Sequence, residues 1–357
     1  MAPKKVLFTG ATGYIGGSVL TLLQNSTHAD IKNLSYSVLV RKPEHAEYYK
    51  SQGMTPIMFK NLDDDVELLK KAASEHDIII NTASAARAIG ARSLVEGLAE
   101  RKKTTGEPVW FIHASISETS GTSSIGNRPV SKVYTQEDAP FEFNDKTQDI
   151  HEYELKREAH DPYSQRTGDV ATVQAGEEFN VPTYIIMSPT IYGNGTGAFN
   201  KRSIQVPFLA RRAVKKGYAE YIGEGAGVWD HAHIDDTAKV YELVLEKLFA
   251  GENIPFGRKG IYFAGNGRHL WKHLSDGLAK AGFAAGVLKE DKARPIGLQE
   301  ITDDTPNGNY QFLELGFASR SVTNAVLATE VLGWKPVKGE ADWERGFEEE
   351  IKAAMAE

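Results

Sequence analysis

The sequence predicts a doubly wound α/β fold, a parallel sheet with helices on both faces, followed by a smaller C-terminal lobe. Three observations carry the prediction. From Lys4 to about residue 120, short β-branched runs alternate with helical stretches, the pattern of βαβ units. The runs are continuously apolar, as strands buried on both faces require. The first of them ends in a glycine-rich turn that leads directly into a helix.

Each element can be justified in order. "KVLFTG" is a strand closed by Gly10, and "IGGSVLTLLQ" spaces its apolar residues for a helix. "SYSVLV" is a second strand ending at Arg41. "TPIMFKN" is a third, followed by the helix "DDDVELLKKAAS", whose acidic first turn suits its dipole. "DIIINTAS" is the fourth strand, "SLVEGLAERKK" the next helix and "PVWFIHAS" the fifth strand. From Ile116 to about Asp161 the pattern lapses into the polar loop "SISETSGTSSIGNRP" and an acidic, weakly periodic stretch. A long irregular segment after a central strand suits an active-site loop or disorder. A helix is expected to resume in "HDPYSQRTGDVATVQAGEEF", with Asp161 as its cap and Pro162 in the first turn, where a missing N–H is harmless. The strand "PTYIIMSPTIYG", the loop "GNGTGAFNKRS", a helix through "VPFLARRAVKKG" and the segment "VWDHAHIDDTAKVYELVLEKLFAG" follow, with no internal repeat. The expected division is a dinucleotide-binding domain over 1–195, rejoined by 228–265, and a substrate lobe from 196–227 and 266–357.

Composition narrows the function classes. The chain has 357 residues, 41% hydrophobic and 25% charged, as in ordinary globular proteins. A net charge of −7 argues against a nucleic-acid partner. The basic runs "ERKKTTG" and "ARRAVKKG" are interrupted and read as solvated helix faces. The absence of cysteine excludes disulfides, thiolate metal sites and a cysteine nucleophile, and fits a reducing compartment. No apolar run approaches the ~18–20 residues of a membrane span. "MAPKK" passes straight into an apolar run, leaving no room for a signal peptide, so the expected location is cytoplasmic.

The turn "TGATGYIG" places Gly10, Gly13 and Gly16 between strand and helix. Gly10 permits the tight turn, Gly13 lets backbone approach a pyrophosphate, and Gly16 lets the helix pack closely on the sheet. The helix N-terminus supplies N–H groups and a positive dipole end. This is a Rossmann-type dinucleotide site. An acidic residue ending the second strand would hold an NAD ribose; Arg41 and Lys42 stand there instead. A guanidinium can bond a 2′-phosphate and stack on adenine, so NADP(H) is favoured over NAD(H). The alternative is a pair of solvated basic residues.

With "NLDD" after the third strand, "NTAS" after the fourth, "DPY", "SPTIYG", "HIDD" and "LGWKP" further on, the chain resembles the extended short-chain dehydrogenase/reductase family, in its epimerase–dehydratase branch, and within it the fungal-type members. The resemblance implies that Gly10–Gly16, with Thr12, Tyr14 and Ile15 between the glycines, receives the cofactor. Asn61 and Leu62 would flank the adenine, and Ala83 and Ser84 would line the cofactor beneath the fourth strand. Pro189, Thr190 and Ile191 would lie near the nicotinamide carboxamide. Ser115 and Ser117 compete for the substrate-orienting hydroxyl, although the family position matches Ile116 most nearly. His233 and Asp236 match family residues that are mainly structural. Family members often pair through two helices, which makes a homodimer one available state.

Three departures qualify the resemblance. The family's proton-transfer pair is Tyr-x-x-x-Lys, and no tyrosine here has a lysine at that spacing. Tyr163 occupies the tyrosine's place, but Thr167 stands where the lysine would. The arginine that meets a nucleotide diphosphate, four residues before the motif histidine, is Trp229. The arginine before the motif proline is Ser188. On a helix, position i+3 lies about 60° from i and i+4 about 40° on the other side, which puts Arg166 near Tyr163 as an electrostatic substitute. A solvated surface pair is the alternative for Arg166. Tyr153, with Arg157 at i+4, is a rival in a run that reads as a solvated helix. His113, His231 and His233 show no ligand spacing, and no metal is expected.

Three functions remain open on the sequence. One is an NADPH-dependent carbonyl reductase or epimerase-like redox enzyme on a small, largely apolar metabolite, with Trp229, Phe199, Phe208 and Tyr192 near the cleft. A second is a nucleotide-sugar epimerase or dehydratase with Arg202 or Arg211 on the diphosphate. The third is a catalytically silent NADP(H) sensor.

Overall fold

A computed structural model describes residues 3–116, 120–135, 137–306 and 308–357. In chain order the elements that build the site are β1 (Lys5–Thr9), α1 (Tyr14–Gln24), β2 (Ser35–Val40), α2 (Pro43–Ser51), β3 (Thr55–Met58), α3 (Val66–Ser74), β4 (Ile78–Asn81), α4 (Ala88–Thr105) and β5 (Trp110–Ala114). Then come α5 (Ile150–His160), α6 (Ser164–Phe179), β6 (Thr183–Met187), α7 (Gln205–Lys216), α8 (Ile234–Phe249), β7 (Ile261–Phe263) and α9 (Glu340–Ala356).

The seven strands form one parallel sheet in the order β7-β6-β5-β4-β1-β2-β3. The order reverses between β1 and β4, and a doubly wound sheet binds its ligand at such a crossover. Period-two geometry sends alternate side chains of each strand to opposite faces. Val6 and Phe8 join Val19, Leu23, Val240 and Val244 in one layer. Leu7 and Ile79 join Leu69, Leu94, Leu98 and Ala175 in the other. The apolar runs are continuous because both faces are covered.

A third core holds the C-terminal part together. Trp229, Trp271, Phe317 and Trp343 meet Leu209 and Phe347 there. Two smaller sheets link it to the main one: Thr190–Tyr192 pairs with Val228–His233, which pairs with Gly267–Leu270, and Glu220–Ile222 pairs with Arg294–Ile296. The structural reading of "HIDD" and "LGWKP" holds in detail. The Asp236 carboxylate accepts the N–H groups of Val337 and Lys338, each at 2.9 Å, and the Trp334 indole donates to the Asp236 carbonyl. His233 caps α8.

The weakly periodic stretch after β5 is ordered by buried charge. It contains a 3₁₀ turn (Gly121–Ile125), a short strand (Phe143–Asn144) and α5. Arg128 pairs with Asp161 at 2.8 Å and with Glu314 at 3.0 Å, tying the stretch to the C-terminal lobe. α5 itself corrects the sequence reading: the charged run around Tyr153 buries His151, Glu154 and Arg157 completely. Charged residues at helical spacing read as a solvated face, and here that face packs inward against α6. Tyr153 packs on Phe143 at 4.8 Å and donates to the Ile125 carbonyl.

Candidate active site

The phosphate loop has the geometry its glycines predict. Gly10 has φ +75°, and a Cβ there would lie 2.5 Å from the Thr82 carbonyl carbon. A Cβ on Gly16 would lie 2.3 Å from the Gly10 carbonyl oxygen. Only glycine lets β1, α1 and the end of β4 approach so closely. Gly13 caps α1 and donates to the Gly10 carbonyl at 2.8 Å.

Beside this loop lies a cavity of about 610 Å³ at the carboxyl ends of the strands. Gly10, Thr12 and Gly13 line it from the loop, and Arg41, Lys42 and His45 from the end of β2 and the start of α2. Asn61 and Leu62 line it after β3, and Ala83 and Ser84 after β4. Lys60 and Arg87 add two more cations, and no carboxylate is among the lining residues. Lys42 sits 3.8 Å from Glu44 and Arg87 pairs with Asp63 at 3.1 Å, whereas Arg41 has no ion pair among the described residues. A glycine cradle over a helix N-terminus with a cationic far end fits a dinucleotide carrying phosphate.

Gly13, Thr82 and Ala83 also line a second cavity of about 210 Å³. Its apolar wall is Ile15, Ile116, Ile191 and Ile204, with the Tyr14 ring. The Tyr14 hydroxyl turns away, donating to the carbonyls of Tyr192 and Gly193 at 3.0 and 2.7 Å. Ile116, at the family's serine position, therefore presents no hydroxyl. The polar side of this cavity is Ser120 with Asn200, Arg202, Ser203 and Gln205. Of the three residues expected beside the nicotinamide, Ile191 lines the cavity; Pro189 and Thr190 do not. Gly16 acts in helix packing and lines neither cavity.

The start of α6 departs most from expectation. α5 runs to His160, so Asp161 closes α5 in extended conformation instead of capping α6. Tyr163 is the N-cap residue, and Glu158 supplies the missing acceptor for its N–H at 3.1 Å. The Tyr163 hydroxyl lies 3.1 Å from Ser123 Oγ and lines neither cavity. Thr167 is exposed, its hydroxyl hydrogen-bonded to Glu158, so the lysine position faces away from both cavities. Arg166 is wholly buried with its guanidinium carbon 5.7 Å from the Tyr163 ring, near it as the helical angle requires. Its N–H groups donate to the carbonyls of Ser124 and Asp161 at 2.7 Å, which makes it a clamp on the loop. Ser115 is also fully buried and donates to Asp169 at 2.5 Å, so its hydroxyl does not face the cavity. Ser117 lies outside the described residues.

Sequence reasoning missed the polar layer beneath this turn. Gln165 donates to the carbonyls of Ser120 and Gly121 at 3.1 Å. Asp169 accepts from Ser115 and Ser124 and lies 3.5 Å from His113 Nε2. His113 Nδ1 is 2.9 Å from the Asn81 amide, and Thr9 donates to Asn81. Burial, with Asp169 beside it, pushes the Glu154 carboxyl up. A signal existed: Gln165 and Asp169 stand four apart on a helix face that the neighbouring Val170 and Val173 mark as inward.

Several expected cleft residues belong elsewhere. Trp229 is fully buried, its indole donating to Ser319 at 2.9 Å and its ring 5.1 Å from Trp271. Phe208 packs on Phe317, and Tyr192 lies between His233 and Trp343. Phe199 packs against His45 of the larger cavity, at 4.3 Å. These aromatics were assigned to the cleft by sequence proximity, and packing uses them instead. Arg211 pairs with Glu357 at the C-terminus; Arg202 alone of the two candidates lines the smaller cavity. His231 lies against His269 and Trp343, and burial pushes it down to about 4.

The profile of the NAD dependent epimerase/dehydratase family matches residues 130–257. The chain is 26% identical to "Oxidase ucsJ" of Acremonium sp over 94% of this chain and 93% of the relative. An uncharacterized protein of Schizosaccharomyces pombe is 25% identical over 93% of this chain and 95% of its own. Among solved structures, the dTDP-glucose 4,6-dehydratase DesIV of Streptomyces venezuelae, with NAD and TYD bound, superposes with a TM-score of 0.65 at 16% identity, covering 99% of this chain and 97% of that one. The seven-stranded parallel sheet of this chain is the Rossmann-like fold of that dehydratase. No helix among the described residues is long and apolar enough to cross a membrane.

Proposed function

We propose that the protein is an NADP(H)-dependent oxidoreductase that acts on a small metabolite without a nucleotide. The single observation that carries this reading is the contrast between the two cavities. The larger, about 610 Å³, is lined by Arg41, Lys42, Lys60 and Arg87 and by no carboxylate. The smaller, about 210 Å³, falls below the ~300–1,000 Å³ of sites that enclose drug-sized ligands, and the cofactor's own end claims part of it.

The bound nicotinamide would supply or accept the hydride. The residues of this chain do the rest. Gly10, Thr12 and Gly13 hold the diphosphate, and Arg41 meets the 2′-phosphate with a charge no neighbouring carboxylate neutralises. Ala83 and Ile191 bracket the reactive end, and Ile116 and Ile204 exclude water from it. The Tyr163 hydroxyl, which lines neither cavity, would hold the proton once it turns from Ser123 toward the smaller one, and Gln165 and Arg166 keep the turn carrying Ser123 in place.

Calorimetry on ligand-stripped protein tests the cofactor half. NADPH is expected to bind at least 10-fold more tightly than NADH, and Arg41→Ala to weaken NADPH by about 10- to 100-fold while NADH changes less than twofold. Equal affinities in the unaltered protein would withdraw Arg41 from the reading. The dehydratase-like fold favours a second reading, a nucleotide-sugar enzyme; conversion of a dTDP- or UDP-sugar with the cofactor retained would replace the first. Cofactor binding with no turnover on either panel would favour a sensor.

A further inference from the structure

Most of the polar side of the smaller cavity comes from one stretch of chain, with Asn200, Arg202, Ser203 and Gln205, and two of its donors lack partners. Arg202 Nε and Ser203 Oγ are buried with no hydrogen-bond partner among the described residues. Both residues line the cavity. A buried donor without an acceptor keeps its desolvation cost uncompensated, so a pair of them on the wall of this cavity calls for an acceptor from outside the chain.

The stretch is rigidly built. The Asn200 N–H donates to the Thr12 carbonyl at 3.2 Å, inside the phosphate loop itself. The Arg202 N–H donates to the Asn200 side chain at 3.0 Å, closing an Asx turn. Gly195 donates to the Lys201 carbonyl at 2.9 Å, and Gly197 packs so tightly on Gly17 that a Cβ there would lie 2.7 Å from its Cα. On the far side both ends of the Gln205 amide are engaged, with Ser120 and with the Gly316 carbonyl. These anchors hold Arg202 and Ser203 at the nicotinamide end, opposite Ile116 and Ile191.

We propose that Arg202 and Ser203 form an oxyanion-recognition site and that the substrate is a small carbonyl compound, or the corresponding alcohol, carrying a carboxylate. This rests on the oxidoreductase reading above and names its substrate class. A guanidinium edge beside a hydroxyl matches the two oxygens of a planar carboxylate. A nucleotide diphosphate shares the oxyanion chemistry but needs far more room than the cavity has. The other end of the guanidinium is hydrogen-bonded to Glu350, which fixes its orientation and leaves Nε for the ligand.

The test uses the intact protein loaded with NADPH. 2-Oxobutyrate, acetoacetate and laevulinate are each compared with their methyl esters, by quenching of NADPH fluorescence and by NADPH consumption. At least one acid is expected to bind 30-fold or more tightly than its ester. Arg202→Met is expected to bring the acid-to-ester ratio below 3, and Ser203→Ala to lower it by about 5- to 10-fold, with NADPH affinity within twofold in both. Equal binding of acids and esters, no binding of any acid, or an unchanged ratio in Arg202→Met overturns the proposal. So does displacement of UDP-glucose, and not of an acid, by the Arg202 change. Failure of NADPH itself to bind would defeat the oxidoreductase reading, which separates the two failures.

Discussion

The two ends of the cleft were assembled under different constraints. The adenosine end follows backbone rules: a left-handed Gly10, a Gly16 that admits no Cβ, a helix N-terminus, and cations where a ribose carboxylate would otherwise stand. The other end departs from what the resemblance expects: Thr167, Ile116, Trp229 and Ser188 stand where a lysine, a serine and two arginines are expected. Backbone geometry leaves few alternatives to glycine, whereas side-chain chemistry can move from one element to another once the scaffold exists. Arg202 and Ser203, on a loop anchored to the phosphate turn, are where that chemistry has moved.

The contrast breaks most severely at Gly16. Alanine there must displace both the Gly10 carbonyl and the Thr82 hydroxyl, each 2.3 Å from the new Cβ. Gly16→Ala is expected to lower NADPH affinity by more than about 100-fold and to depress the melting temperature. Gly297→Ala, at a site with no atom within 4 Å of the added carbon, is the control and should change neither. A Gly16→Ala protein that binds NADPH normally would remove the geometric basis of the adenosine end.

Next in size is the altered proton-transfer pair. Removing a general acid lowers turnover by about 10²–10⁴-fold, so Tyr163→Phe is expected to reduce kcat at least 100-fold with little change in NADPH affinity. The outward aspect of position 167 makes the complementary experiment informative. Thr167→Lys would place its ammonium beside Glu158 at the surface, and kcat is expected to stay within twofold. A large gain in Thr167→Lys would mean that α6 turns on cofactor binding; an unchanged kcat in Tyr163→Phe would take the phenol out of the chemistry.

These outcomes bear on what was legible in the sequence. The parallel sheet and the turn at Gly10 and Gly13 could be read because each obeys a local rule of spacing or turn chemistry, and Arg41 with Asn61, Leu62, Ala83 and Ser84, which the resemblance supplied, line the cavity beside that turn. The start of α6 could not. Asp161 and Pro162 form a valid capping signal, but α5 extends to His160 and Glu158 reaches across to cap the next helix, a contact between elements that no local window contains. The same holds for Arg166, whose partners Ser124 and Asp161 come from the irregular stretch, and for Trp229, which the aromatic core claims. Polar residues destined for a buried network look like surface residues until their partners are known. That is why Asp169 and Gln165 were passed over.

The smallest expected effect sharpens the substrate end through pH. Glu350, the partner of Arg202, is buried, and burial pushes its carboxyl up to about 7 against the pull of Arg202 and Arg211. Glu349 on α9 and Glu357 just past its end raise it further, and Tyr14 of α1 feels both Glu350 and Arg202. A carboxyl raised above its unfolded value contributes stability that is present at low pH and is lost as pH rises through the folded value. Between pH 5 and 8 the melting temperature is therefore expected to fall more steeply than in Glu350→Gln. As pH falls through about 7, Glu350 gains a proton and Arg202 keeps its charge, so carboxylate binding is expected to strengthen about three- to fivefold from pH 8 to 6 while ester binding stays flat. In Glu350→Gln the acid should bind at pH 8 as the unaltered protein binds it at pH 6. A carboxylate affinity that weakens on acidification, with the oxo acids fully ionised throughout, would mean that the ligand's charge is met elsewhere than at Arg202.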